Sequence, residues 1–117
     1  MSKRSNTFLL EDILESIKKI FEYTAAITKD EFLIDHKTQD AVSRNFEIIG
    51  EAAGRFTEDF KITYSNINWR EVKDFRNTLI HDYFGTNYTT VWIIIQSDLK
   101  VLQQKLIDIN KNLPEEI

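Results

Sequence analysis

In the last third of the chain the apolar residues Trp92, Ile95, Leu99, Leu102, Leu106 and Ile109 recur at alternating spacings of three and four. Only an α-helix gathers such positions onto one side. The earlier chain keeps the same rhythm. Leu10, Ile13, Leu14, Ile17, Phe21 and Ile27 predict a first helix from about Ser5 to Thr28, with Ser5, Asn6 and Thr7 offering N-cap oxygens and Glu11 and Asp12 near its positive end. Ala41, Val42, Phe46, Ile49, Ala52, Ala53, Phe56 and Phe60 predict a second from Thr38, its cap, to about Phe60. Between them 29–37 interrupts the pattern, and Phe32, Leu33 and Ile34 are expected to pack this connection onto the core. Asn68 and Glu71, spaced as a capping box, open a third helix from Trp69 to about Phe84. Gly85 then supplies the left-handed residue that commonly follows a helix end, and Asn87 caps the fourth helix.

With 3 Gly and 1 Pro in 117 residues, a turn-rich β architecture has too little punctuation. The expected fold is all-α, an antiparallel four-helix bundle in a single domain spanning 1–117. Gly50, Ala52 and Ala53 let a neighbouring backbone come close, so Gly50-Glu51-Ala52-Ala53 reads as a tight crossing point. Ile93, Ile94, Val101 and Ile107 lie off the seam of the last helix, making it apolar on more than one side. A helix facing water is not built that way, and in so short a chain a second protomer is the expected cover, giving a homodimer.

The composition narrows function. A net charge of −4 and a pI near 5.2 exclude a protein that coats nucleic acid through bulk electrostatics. Any phosphate chemistry must then be local. The cationic stripe of interest is Arg70, Lys73 and Arg76, spaced three apart, and for Arg70 and Lys73 the default reading is solvated surface. The absence of cysteine excludes disulfides and thiolate zinc sites. No apolar signal core follows the basic start Met1-Ser2-Lys3-Arg4-Ser5, since Glu11, Asp12 and Glu15 interrupt the pattern, and no apolar run reaches membrane-spanning length. A cytoplasmic location is expected. His36 stands without a second ligand at metal-binding spacing and reads as surface, so no metal and no cofactor are expected.

One stretch carries reactive side chains where the third helix ends: Arg76-Asn77-Thr78-Leu79-Ile80-His81-Asp82-Tyr83-Phe84-Gly85. A guanidinium is a permanent planar cation for anionic oxygens, and an imidazole gives or takes a proton near neutral pH. Together they suit a phosphate. At about 100° per residue Arg76 and His81 lie roughly 140° apart, whereas Asp74, Asn77 and His81 fall within about 60°. Arg76 must therefore curl toward the imidazole or meet it across a dimer axis. Asn77 is the nearest group to fix the imidazole tautomer. Glu47 and Glu51 share a helix face, and one of them is a candidate to orient the Arg.

The run from Arg76 to Gly85, followed by Val91-Trp92, resembles the signature of the HEPN superfamily, specifically the HepT-like toxins of MntA/HepT toxin–antitoxin pairs. The stretch from Ala41 to Ala53 resembles the family's second-helix motif, and Trp69-Arg70-Glu71-Val72 its entry to the third. Two departures touch helix entry and packing: Asn68 stands where the family often has Pro, and Asp74-Phe75 where it has Gly-Met. The resemblance implies a homodimeric four-helix bundle that cleaves RNA, not DNA, without metal, with Arg76 and His81 as the catalytic pair. It also implies an MntA-like antitoxin nucleotidyltransferase that adds AMP to Tyr83. The alternative is a non-catalytic nucleotide-binding or protein-interaction module of the same fold, in which Arg76 grips a phosphate and His81 only packs. A purely structural dimerisation domain is the third possibility.

Overall fold

The computed structural model describes residues 5–80 and 87–113, with the backbone alone for 76–80. Seven helices and no strand occur among the described residues. Helix α1 (Asn6–Thr24) starts at Ser5, whose hydroxyl accepts from the Phe8 amide at 3.3 Å. Leu9, Leu10, Ile13, Ile17 and Ile20 form its buried side. Its first turn holds no acidic residue, so Glu11 and Asp12 sit beyond the reach expected of them at the helix start. Asn6 is used differently from a cap. Its amide nitrogen donates to the Thr57 hydroxyl at 3.1 Å and its amide oxygen accepts from the Thr57 backbone at 3.2 Å, a two-bond clasp across 51 residues.

Helix α1 ends four residues before the expected boundary, and the connection is more ordered than its pattern suggested. Thr28 and Glu31 form a reciprocal capping box for the short helix α2 (Lys29–Phe32), with bonds of 3.2 and 3.0 Å. Phe32 is fully buried as expected, and its ring lies 5.8 Å from Tyr88 and 5.3 Å from Trp92. Ile34 is 77 % exposed and does not pack down. Once Phe32 turns inward on a single helical turn, the residue two positions on faces out.

Helix α3 (His36–Ala53) is capped by Asp35, not Thr38. One carboxylate oxygen of Asp35 accepts from the Thr38 amide at 3.0 Å, and the other from the Thr38 hydroxyl at 2.6 Å. The Thr38 hydroxyl, then its amide, hold the Asp35 carboxyl below its ordinary pKa. The cap three residues earlier draws His36 into the first turn, where it is exposed.

The second long helix does not run to Phe60. It stops at Ala53, where Gly54 donates to the Gly50 carbonyl at 3.2 Å. A separate helix α4 (Glu58–Thr63) begins after Thr57, whose hydroxyl accepts from the Phe60 amide at 3.2 Å. Phe56 folds back between the two helices. Its ring stacks on Phe60 at 4.4 Å and leans on Trp69 at 5.0 Å, and all three are buried. Trp69 opens α5 (Trp69–Ile80). The last expected helix is also two, α6 (Tyr88–Gln96) and α7 (Asp98–Asn112), divided at Ser97. There the hydroxyl donates to the Ile93 carbonyl at 2.7 Å, a side-chain bond that competes with the backbone ladder and bends helices. The seam survives the break: Ile95, Leu99, Leu102, Leu106 and Ile109 are all buried.

One core joins these helices. Helix α3 is its centre, packing most extensively on α1 and α5, while α7 packs on α1 and α6.

Candidate active site

Of the residues singled out for chemistry, helix α5 carries Arg76 and Asn77. Its start is fixed three ways. The Asn68 side chain accepts from the Glu71 amide at 3.1 Å, giving one half of the expected capping box. The Trp69 indole N–H donates to the Tyr64 carbonyl at 3.2 Å, which satisfies the polar atom of a buried ring. Phe56, Phe60 and Tyr64 close an aromatic cage around this corner. Further along, Val72 is buried, and Phe75 meets Phe46 of α3 edge to face at 5.5 Å. Gly50, Ala52 and Ala53 are buried on this central helix.

Positions 76 and 77 lie in the second half of α5. Arg76 and Asn77 are thus helical at the backbone, on the element that packs against α3. His81 and Tyr83, with the expected extension of the third helix to Phe84 and the left-handed Gly85, lie outside the described residues. The stretch is bracketed by two built elements. Helix α5 enters it, and beyond it the Asn87 side chain accepts from the Thr90 amide at 3.2 Å to start α6 as expected. Tyr88 then meets α3, its hydroxyl 3.1 Å from that of Ser43. Both sides of the reactive stretch are therefore tied to the same helix.

Of the two glutamates, Glu47 meets Arg44 on its own helix at 3.4 Å. Glu51 is exposed in the last turn of α3 and is engaged rather than free. Sequence reasoning missed Ser43 and Tyr88. Their pairing across 45 residues has no local signal.

A groove of about 280 Å³ runs between the first half of α5 and α7, lined by Asn68, Glu71, Phe75, Asp98, Val101 and Lys105 among others. Among the described residues no three His, Cys, Asp or Glu side chains gather as a metal-ligand set. No helix among them is long and apolar enough to cross a membrane.

Residues 13–109 match the protein family described as "Ribonuclease HepT-like". The chain belongs to this family. A "Probable ribonuclease HepT" of Thermococcus cleftensis is 43 % identical, the match covering 93 % of this chain and 99 % of that protein. A "Putative RNase" of Methanocaldococcus jannaschii is 42 % identical over 93 % of each chain, and a second from the same organism 39 % identical over 91 % of this chain and 97 % of its own. No solved structure matches. The resemblance carried by the Arg76 to Gly85 run is thus a family membership, and that run falls wholly inside the HepT-like match.

Proposed function

We propose that this HepT-like chain is a metal-independent endoribonuclease, the toxin of a toxin–antitoxin pair, working as a homodimer of single-domain antiparallel four-helix bundles. The observation that carries the reading is the family match over 13–109, which encloses Arg76, His81 and Tyr83 together. The chemistry needs no outside nucleophile. The RNA 2′-hydroxyl attacks the adjacent phosphorus, the P–O2′ bond forms and the P–O5′ bond breaks. His81 takes the 2′-hydroxyl proton, and the leaving 5′-oxygen gains one from an imidazolium. Arg76 faces the charge that grows on the non-bridging oxygens. Asn77 and Glu51 are the candidates to orient the imidazole and the guanidinium.

Pairing two protomers supplies two imidazoles to one cleft, so one serves as base and the other as acid. It also meets the roughly 140° offset of Arg76 and His81 on an ideal helix. Exposed apolar residues support a dimer: Ile93 on α6 and Val101 on α7 are each 57 % exposed. Control would come from a partner nucleotidyltransferase that adds AMP to the Tyr83 phenol. The added phosphate competes for Arg76, and the nucleoside fills the place of substrate.

The deciding experiment is RNA cleavage by the purified protein in excess chelator, with the ends analysed. Cleavage should persist and leave 2′,3′-cyclic phosphates and 5′-hydroxyls. Activity that disappears with chelator and returns with Mg²⁺ overturns the mechanism. For control, Tyr83→Phe should stay active and gain no AMP mass when transferase and ATP are present. If it is modified and silenced like the wild type, the acceptor is another residue.

A further inference from the structure

The cations that the catalytic reading leaves unused are not scattered. Arg70 and Lys73 are exposed on α5, and Arg55 is exposed just beyond the end of α3. A Cβ placed on Gly54 would stand 3.5 Å from Lys73 Cε, so the Lys73 stem lies against the end of α3 beside Arg55. The α5 cation Lys73 thus reaches the end of α3, where the exposed Arg55 directly follows Gly54 in the chain. The ion pairs seen among the described residues are Arg44 with Glu47 and Lys61 with Glu58, and none of the three takes part in them. Carboxylates flank the surface: Glu71 and Asp74 on α5 and Glu51 on α3 are exposed. At about 100° per residue, positions 70, 73 and 77 fall within about 60°, with Asp74 about 40° and Glu71 about 100° beyond Arg70 on one side of that arc. Lys73 precedes positions 76 and 77 by about one turn, about 4.5 to 6 Å along the axis. In a chain of net charge −4, a positive strip leading to the reactive stretch is a local feature, not a consequence of composition.

Resting on the ribonuclease reading above, we propose that Arg55, Arg70 and Lys73 form a phosphate track that holds single-stranded RNA beside the cleavage site, on the side where α5 begins. Cations on flexible stems bind phosphates irrespective of base, so the track contributes affinity and direction, not sequence choice. A single strand suits it because the 2′-hydroxyl must swing in line with the departing oxygen, which a stacked duplex resists. The track predicts that substrates long enough to reach it bind better than minimal ones.

The test compares the wild type with the triple variant Arg55→Gln, Arg70→Gln, Lys73→Gln on an RNA oligomer and on a dinucleotide. For the oligomer, KM should rise several-fold with kcat unchanged, and the slope of log affinity against log salt should fall by about 0.7 for each phosphate no longer neutralised. The dinucleotide should be cleaved as by wild type. The charge-conserving pair Arg70→Lys, Lys73→Arg should keep the wild-type oligomer KM. If the wild type cleaves and the triple variant keeps its oligomer KM and salt slope, the track is wrong and the ribonuclease reading stands. An equal loss on the dinucleotide also overturns the track, since the residues would then act on the fold or on the reacting centre. Unchanged RNA kinetics with weakened binding to a co-expressed acidic protein overturns it too, and assigns the cations to that partner. A wild type that neither binds nor cleaves RNA overturns both readings.

Discussion

In the proposed mechanism Arg76 and His81 divide the work of one phosphodiester cleavage, and their loss should be distinguishable from damage to the fold. His81→Ala and Arg76→Ala are each expected to lower RNA cleavage by at least about 10²-fold, the lower end of what a positioned proton-transfer group contributes. Helical circular dichroism and sedimentation should stay as in wild type. A variant retaining near-normal turnover removes that residue from the catalytic pair. Asp35 is a second residue with a measurable signature. Its folded pKa is depressed by the Thr38 hydroxyl and amide, so its stabilising contribution is full above the unfolded pKa and is lost as pH falls through the folded value. Thermal melts of wild type should therefore weaken below about pH 4, and Asp35→Asn should show a shallower slope across that window. Equal slopes would mean the cap carboxylate is not linked to folding. The candidate site rests in sequence on one short run, Arg76 and His81 by their side-chain chemistry and Tyr83 by the family resemblance, whereas the hydrogen bond between Ser43 and Tyr88 joins residues 45 apart and leaves no local trace.

The long helices were readable; the single turn of α2 and the helix boundaries were not, the boundaries for a specific reason. Ala53, Phe56 and Phe60 keep the three and four spacing straight through the break after Ala53, and Ile95 and Leu99 do the same across Ser97. Periodicity cannot register a break that preserves its own phase. Signals of another kind were present. Thr57 precedes the two acidic residues that open α4, and Thr28 stands three before Glu31, both common at helix starts. The Asn6 and Thr57 clasp tests how these short elements are held. Asn6→Ala removes two exposed hydrogen bonds and should cost about 1 kcal/mol. Thr57→Ala keeps the backbone bond to Asn6 but removes the hydroxyl's bond and the α4 cap, so its cost should be larger, about 2 kcal/mol. Urea unfolding of both variants and the double mutant should give less than the sum of the two losses. Strict additivity would show that the clasp contributes nothing.

At the scale of the molecule, the proposed shared cleft makes activity depend on association. Ile93 and Val101 lie on opposite sides of the Ser97 break and stay exposed while the seam between them is buried. Ile93→Glu with Val101→Glu should convert a dimer to a monomer in sedimentation velocity, keep helical content, and abolish RNA cleavage. A wild type that sediments as a monomer at micromolar concentration refutes the dimer. An active monomeric variant refutes the shared cleft. The clasp between Asn6 and Thr57 has a further consequence in time rather than in equilibrium. Helical turns form within about a microsecond, but closing a loop of 51 residues has an entropic cost that local interactions do not recover. Its two hydrogen bonds become available only after α1 and α3 have docked. Breaking it should therefore leave the refolding rate unchanged and speed unfolding, so that the first turn of the first helix governs how long the native state persists and not how quickly it is found.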